Sequence, residues 1–134
     1  MANDLRIVLP NRPGALASTL DALFREQITV MSASGDMRPG ERWGYLHLLV
    51  DDGSAARAVL ERHRVDIVSE HHVEIHDIEP GAGALLQTLR TYLDRGDNVE
   101  VCYMAMDSRW VIGTESMRQE ITGVRVSDVG PPST

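Results

Sequence analysis

The sequence predicts an α+β protein made of two ferredoxin-like βαββαβ units in tandem, with antiparallel sheets and helices on one face of each unit. Three observations lead there. A strand, a tight turn and the start of a helix are written into Leu5–Leu16. Parts of that stretch return at a constant offset of 69 residues. Around it, the apolar periodicity reads strand, helix, strand, strand, helix, strand, and then begins again.

In the opening stretch Leu5, Ile7 and Leu9 alternate with Arg6 and Val8, the period of a strand. Pro10 interrupts pairing, Asn11 suits a turn or an N-cap, and Pro13 suits the first helical position, where a missing N–H costs nothing. Leu16, Leu20, Leu23 and Phe24 then fall on one stripe of a helix expected over 13–26. Such a junction leaves the N–H groups of Gly14, Ala15 and Leu16 facing the turn, where a partial positive charge favours a carboxylate or phosphate. The alternative is a well-capped helix with no ligand.

Gly14-Ala15-Leu16, Thr19-Leu20, Val30 and Met37 recur as Gly83-Ala84-Leu85, Thr88-Leu89, Val99 and Met106. Between the copies, strands are expected at 28–34 and 43–50, separated by the turn Arg38-Pro39-Gly40-Glu41. A helix follows over 54–64, capped by Ser54 or Asp52 with Ala55, Val59 and Leu60 inward, and then a strand over 65–70. The second copy starts with a strand at 73–78 and a turn at 79–82. Its helix spans 83–95, buries Leu85, Leu86, Leu89 and Leu93, and stops at Gly96. Strands at 99–106 and 110–114 follow, leaving 115–123 for a shortened last helix and 124–126 for a closing strand. The units are therefore 1–70 and 71–128, with a flexible tail at 129–134.

A net charge of −7 and a pI near 5.1 argue against nucleic acid, which needs a basic face. The basic residues are all Arg and are scattered. Cys102 is the single cysteine, which excludes an internal disulfide and fits the reducing cytoplasm. It reads as a half-buried strand residue with no basic cluster to activate it. No apolar run is long enough for a membrane span, and no signal-peptide pattern opens the chain. Trp43 and Trp110 start the third strand of each copy and read as core or interface anchors. His72, Glu74 and His76 share one strand face and offer two imidazoles and a carboxylate to a metal, but a fourth ligand is missing, and a solvated face is the plainer reading. No catalytic constellation or phosphate loop is present, so no enzyme activity and no cofactor are expected.

Asn11-Arg12-Pro13-Gly14-Ala15-Leu16, opening a helix inside a βαββαβ unit, resembles the ACT domain, a regulatory module that binds amino acids. The resemblance spans nearly the whole chain as two copies, with Glu79-Pro80-Gly81-Ala82-Gly83 replacing the motif in the second. It implies units paired side by side as a pseudo-dimer with their helices on one face of a combined sheet. The effector would sit where the first turn of one unit meets the second strand of its neighbour. Serine-sensing members carry an Asn in that turn, matched by Asn11, and another at the start of the second strand, matched by Asn98 where copy one has Thr29. Their His two residues before the turn Asn is Leu9 here and Ile78 in copy two. The implied ligand set is Asn11, Arg12, Pro13, Gly14, Ala15 and Leu16 with Asn98 and Val99. The expected function is non-catalytic, allosteric amino-acid sensing by a cytoplasmic homodimer that regulates a partner enzyme. Alternatives are a regulatory subunit acting mainly through contact with that enzyme, and a metal-binding ferredoxin-like protein.

Overall fold

The computed structural model describes residues 2–106 and 108–121. The first unit runs β1 (Asn3–Pro10), α1 (Ala15–Arg25), β2 (Val30–Asp36), β3 (Trp43–Val50), α2 (Gly53–Arg62) and β4 (Asp66–His72). The second runs β5 (Glu74–Asp77), α3 (Ala82–Asp94), β6 (Val99–Met104), β7 (Arg109–Thr114), a 3-10 turn over Glu115–Met117 and β8 (Arg118–Gln119). The class is the expected α+β, with antiparallel sheets and ferredoxin-like units.

Alternation decides which face of β1 is buried under the helices. Leu5, Ile7 and Leu9 meet Leu46, Leu48, Val50 and Ile67, and Leu23, Val59 and Leu60 close this core from α1 and α2. Each such side chain contributes roughly 1.5–3 kcal/mol on burial. Asp52 caps α2 by accepting from the Ala55 N–H at 3.0 Å. The helix ends at Arg62 rather than at 64, because Arg64 turns left-handed at φ 58°. Its inward residues are Gly53, Ala56, Val59 and Leu60, one step round from Ala55. A Cβ at Gly53 would lie 2.0 Å from Asn3 Nδ2, so a larger residue there would have to displace the buried Asn3–Glu70 hydrogen bond.

The sheets are ordered β2-β3-β1-β4-β8 and β5-β7-β6. They do not merge side by side with helices on one common face, as the family resemblance implied. Only Val73, whose N–H donates to the Ala2 carbonyl at 3.1 Å, separates β4 from β5, so one bent stretch of chain serves both sheets. On β3 the residues between the core positions point away from the helices, and Leu49 there packs with Val73, Val101 and Val111. The second sheet thus covers the helix-free face of the first. Glu74 and His76 lie on the outer face of the second sheet and bond Tyr92 of α3, which places that helix outside. The layers run helix, sheet, sheet, helix.

Two details of the second unit depart from the sequence reading. α3 buries Tyr92 and half-buries Leu85 and Leu89, but Leu86 and Leu93 stay exposed, because three strands are too narrow a platform for the whole stripe. Where a helix is expected over 115–123, the described residues form a single 3-10 turn, after which β8 pairs with β4 of the first unit through Glu70↔Gln119 and His71↔Arg118. The strand expected at 124–126 and the tail at 129–134 lie outside the described residues.

Candidate functional site

β1 ends at Pro10, opposite Trp43. The helix begins at Ala15, not at 13, because Gly14 adopts φ 86° and caps it from a left-handed conformation. Pro13 therefore belongs to the turn. Asn11 fastens that turn to the β2–β3 hairpin: its N–H donates to the Arg42 carbonyl at 2.9 Å, and its Nδ2 donates to the carbonyls of Arg38 and Glu41 at 2.9 and 2.8 Å. The hairpin is itself closed by Glu41 N–H to Arg38 O at 3.1 Å, with Gly40 at φ 83°. Both side-chain hydrogens of Asn11 are thus spent on structure, and Oδ1 remains as its acceptor.

The Ala15 amide, expected to face a ligand, bonds the Arg12 carbonyl at 3.3 Å. The described hydrogen bonds engage neither the Gly14 nor the Leu16 amide. Two cavities flank the turn. One, of about 510 Å³, lies between Arg12, Pro13, Gly14 and Ala15 on one side and Trp43, His63 and Arg64 on the other. A smaller one, of about 260 Å³, runs from Arg12, Gly14 and Leu16 to Gly35 and Met37. Arg12 and Gly14 border both. The larger cavity combines the Gly14 amide, the start of α1 and the guanidiniums of Arg12 and Arg64, with the Asp66 carboxylate on the same lining; two cations against one carboxylate suit a small anion.

Asn98 and Val99 border a different cavity, of about 350 Å³, with Leu89, Leu93, Gly96 and Asp97. Their loop is firmly held. Asp97 accepts from Thr114 Oγ1 at 2.7 Å and from Ser116 Oγ and N–H at 2.6 and 3.1 Å, and these bonds hold its carboxyl below the usual range. The Asn98 carbonyl accepts from the Glu115 N–H at 2.8 Å. Within one chain, none of the cavities described brings Asn98 to Asn11.

The His-rich strand is parted at Val73. His72 Nδ1 lies 2.6 Å from Asn3 Oδ1, whereas His76 Nε2 lies 2.7 Å from the Tyr92 hydroxyl, which also bonds Glu74. Burial and Glu74 push the Tyr92 hydroxyl upward, so it stays protonated. Among the described residues no three His, Cys, Asp or Glu side chains group as a metal requires. Cys102 is exposed on β6 rather than half-buried, and desolvation pushes its thiol up, away from thiolate chemistry.

No model of a known protein family matches the sequence, and no curated protein matches it. Solved structures do. A protein from Bacteroides thetaiotaomicron superposes with a TM-score of 0.68 at 22% identity, covering 84% of this chain and 78% of that one. The regulatory subunit of aspartate kinase from Thermus thermophilus, in its ligand-free form, gives 0.62 at 15% identity over 84% and 82%. The aspartokinase alpha and beta subunits give 0.59 at 13% over 84% and 81%. The chain has an ACT-like fold. In this ACT-like frame, the stretch 11–16 forms the turn, and Trp43 and Arg64, outside that stretch, form the opposite wall of the larger cavity. Trp43 had a usable signal, because it starts the strand paired with Pro10. Arg64 had none, since its place depends on the left-handed exit from α2.

Proposed function

We propose that this protein is a non-catalytic, cytoplasmic regulatory module that binds a small amino acid at the turn Pro10–Leu16. The observation that carries the reading is the cavity of about 510 Å³ in which Arg12 and Arg64 meet the start of α1. The ligand carboxylate lies against the Gly14 amide, Arg12 and Arg64, where helix charge and guanidinium act together, while Leu16 borders the smaller cavity. Asn11 contributes its Oδ1 and, through the hairpin, the shape of the turn. Asn98 and Val99 join only when a second copy of the chain supplies them, so binding and self-association are linked. Likeness in fold to the regulatory subunit of aspartate kinase supports control of a partner enzyme as the output.

Thermal denaturation of the full chain against the twenty amino acids, followed by calorimetry, tests this. One selective stabiliser is expected, with affinity about ten- to a hundredfold weaker in Arg12→Ala and in Asn98→Ala, and little changed in Thr29→Ala. A panel with no stabiliser, or Arg12→Ala and Asn98→Ala variants that bind like wild type, would overturn it.

A further inference from the structure

The face of the first sheet turned away from α1 and α2 carries a polar row that the turn site does not use. Arg6 on β1 stands directly between His47 on β3 and Ser69 on β4. The second unit covers this face only in part. Glu100 on β6 and Arg118 on β8 form a rim, and a cavity of about 600 Å³ remains between rim and row.

Three features of this cleft point to one chemistry. Arg6 makes no ion pair among the described residues, and its guanidinium carbon rests 4.2 Å from the centre of the Tyr45 ring. Stacking fixes the plane of the fork and leaves its N–H groups available. His71 is 2% exposed and directs Nε2 to Glu100 at 2.8 Å; its Nδ1 is buried without a hydrogen-bond partner among the described residues. Such an atom carries a desolvation cost until something donates to it. Glu100, the acid of the rim, is already matched by Arg118, with Nε to Oε1 at 2.9 Å, and by His71, so it does not repel an anion at full strength. Arg118 is paired with Glu100, and the buried Asp4 carboxylate is held by His47 and Tyr103, so the Arg6 guanidinium is left as an unmatched cation of the cleft.

We infer that the cleft between the two sheets binds a small oxyanion bearing one hydroxyl, a hydrogen phosphate or an α-hydroxycarboxylate, which accepts from Arg6 and Ser69 and donates to His71 Nδ1. Touching β1 and β4 on one side and the rim of β6 and β8 on the other, the anion ties the two units together. This site lies on the opposite face of β1 from the helices and does not depend on the amino-acid reading.

Calorimetry on the full chain at fixed ionic strength, with inorganic phosphate and with lactate as probes, tests the inference. One-to-one saturable binding of at least one probe is expected. Affinity should fall about tenfold or more in Arg6→Ala and measurably in Ser69→Ala, while Arg90→Ala, which removes an exposed charge from α3, binds like wild type. Response to phosphate alone marks a phosphoryl ligand, and response to lactate alone marks a hydroxy acid; either supports the site. Circular dichroism reports folding, and Ser69→Ala decides the matter if Arg6→Ala does not fold. Saturation by neither probe, binding unchanged in the folded Arg6 and Ser69 variants, or an equal loss in Arg90→Ala overturns it.

Discussion

The hydroxyl of Tyr103 on β6 donates a 2.8 Å hydrogen bond to Oδ2 of Asp4 on β1, so a fully buried carboxylate of the first unit is satisfied in part by the second. His47 supplies the other partner, its Nδ1 at 2.9 Å from Asp4 Oδ1, and the His47 and Tyr103 rings lie 5.5 Å apart. Burial, together with the nearby Asp4 charge, pushes the Tyr103 hydroxyl well up, so it remains a donor at all physiological pH.

Removing that donor leaves Asp4 under-satisfied in a site water cannot reach. Tyr103→Phe should therefore cost roughly 1.5–3 kcal/mol, read as a lower midpoint in urea unfolding. An unchanged midpoint would mean that Asp4 finds another donor.

Glu100 gives a pH test with a definite sign. Its bonds to Arg118 and His71 lower the carboxyl from the usual 4.5 to about 2. A depressed folded value contributes stability above the unfolded value and loses it as pH falls through the folded one. The thermal midpoint should thus drop between pH 4.5 and 2. In Glu100→Gln this acid slope should shrink by about one proton, with Asp97 supplying part of what is left. An identical slope in wild type and variant would remove Glu100 from the account.

Gly14 separates conformational from steric cost. A Cβ there meets nothing within 4 Å, yet φ is 86°. Gly14→Ala should lose about 1–2 kcal/mol from the left-handed conformation alone, and Gly14→Asn less, because Asn tolerates that region. Equal losses in the two variants would contradict this explanation.

Leu86, Leu93 and Met104 are large apolar residues of the second unit, 49%, 73% and 55% exposed. We expect these exposed apolar residues to mediate self-association. Light scattering should show a dimer for wild type and a monomer for Leu93→Glu combined with Met104→Glu. A monomer for wild type at all concentrations would remove the dimer and, with it, the second-copy role of Asn98.

Strand alternation in Leu5–Leu9, the hairpin signal Pro39-Gly40 and the stop at Gly96 were legible because each expresses a local backbone preference. The leucine stripe of α3 misled because periodicity reports a face, not the width of what covers it. The choice of Tyr92 as its buried residue depends on Glu74 and His76, which are distant in sequence. For the turn, the motif located Arg12 and Gly14 at a cavity. The structural duty of Asn11 stayed hidden, since its acceptors sit 27 and 30 residues away. The stacking of the second sheet on the first was illegible for a similar reason: Leu49 reads the same whether its partner is water, another chain or Val111.

The return of β8 to β4 bears on how the chain is made. Residues emerge from the ribosome in order, and the first unit is complete once β4 has formed. At that moment the outer edge of β4 is unpaired and the face bearing Leu49 is bare. Both wait for the segment ending at Gln119, which supplies the strand and the covering sheet. An open edge beside an apolar face invites pairing with other nascent chains. A message truncated soon after β4, at residue 72, therefore yields a sticky half-molecule rather than a working single unit.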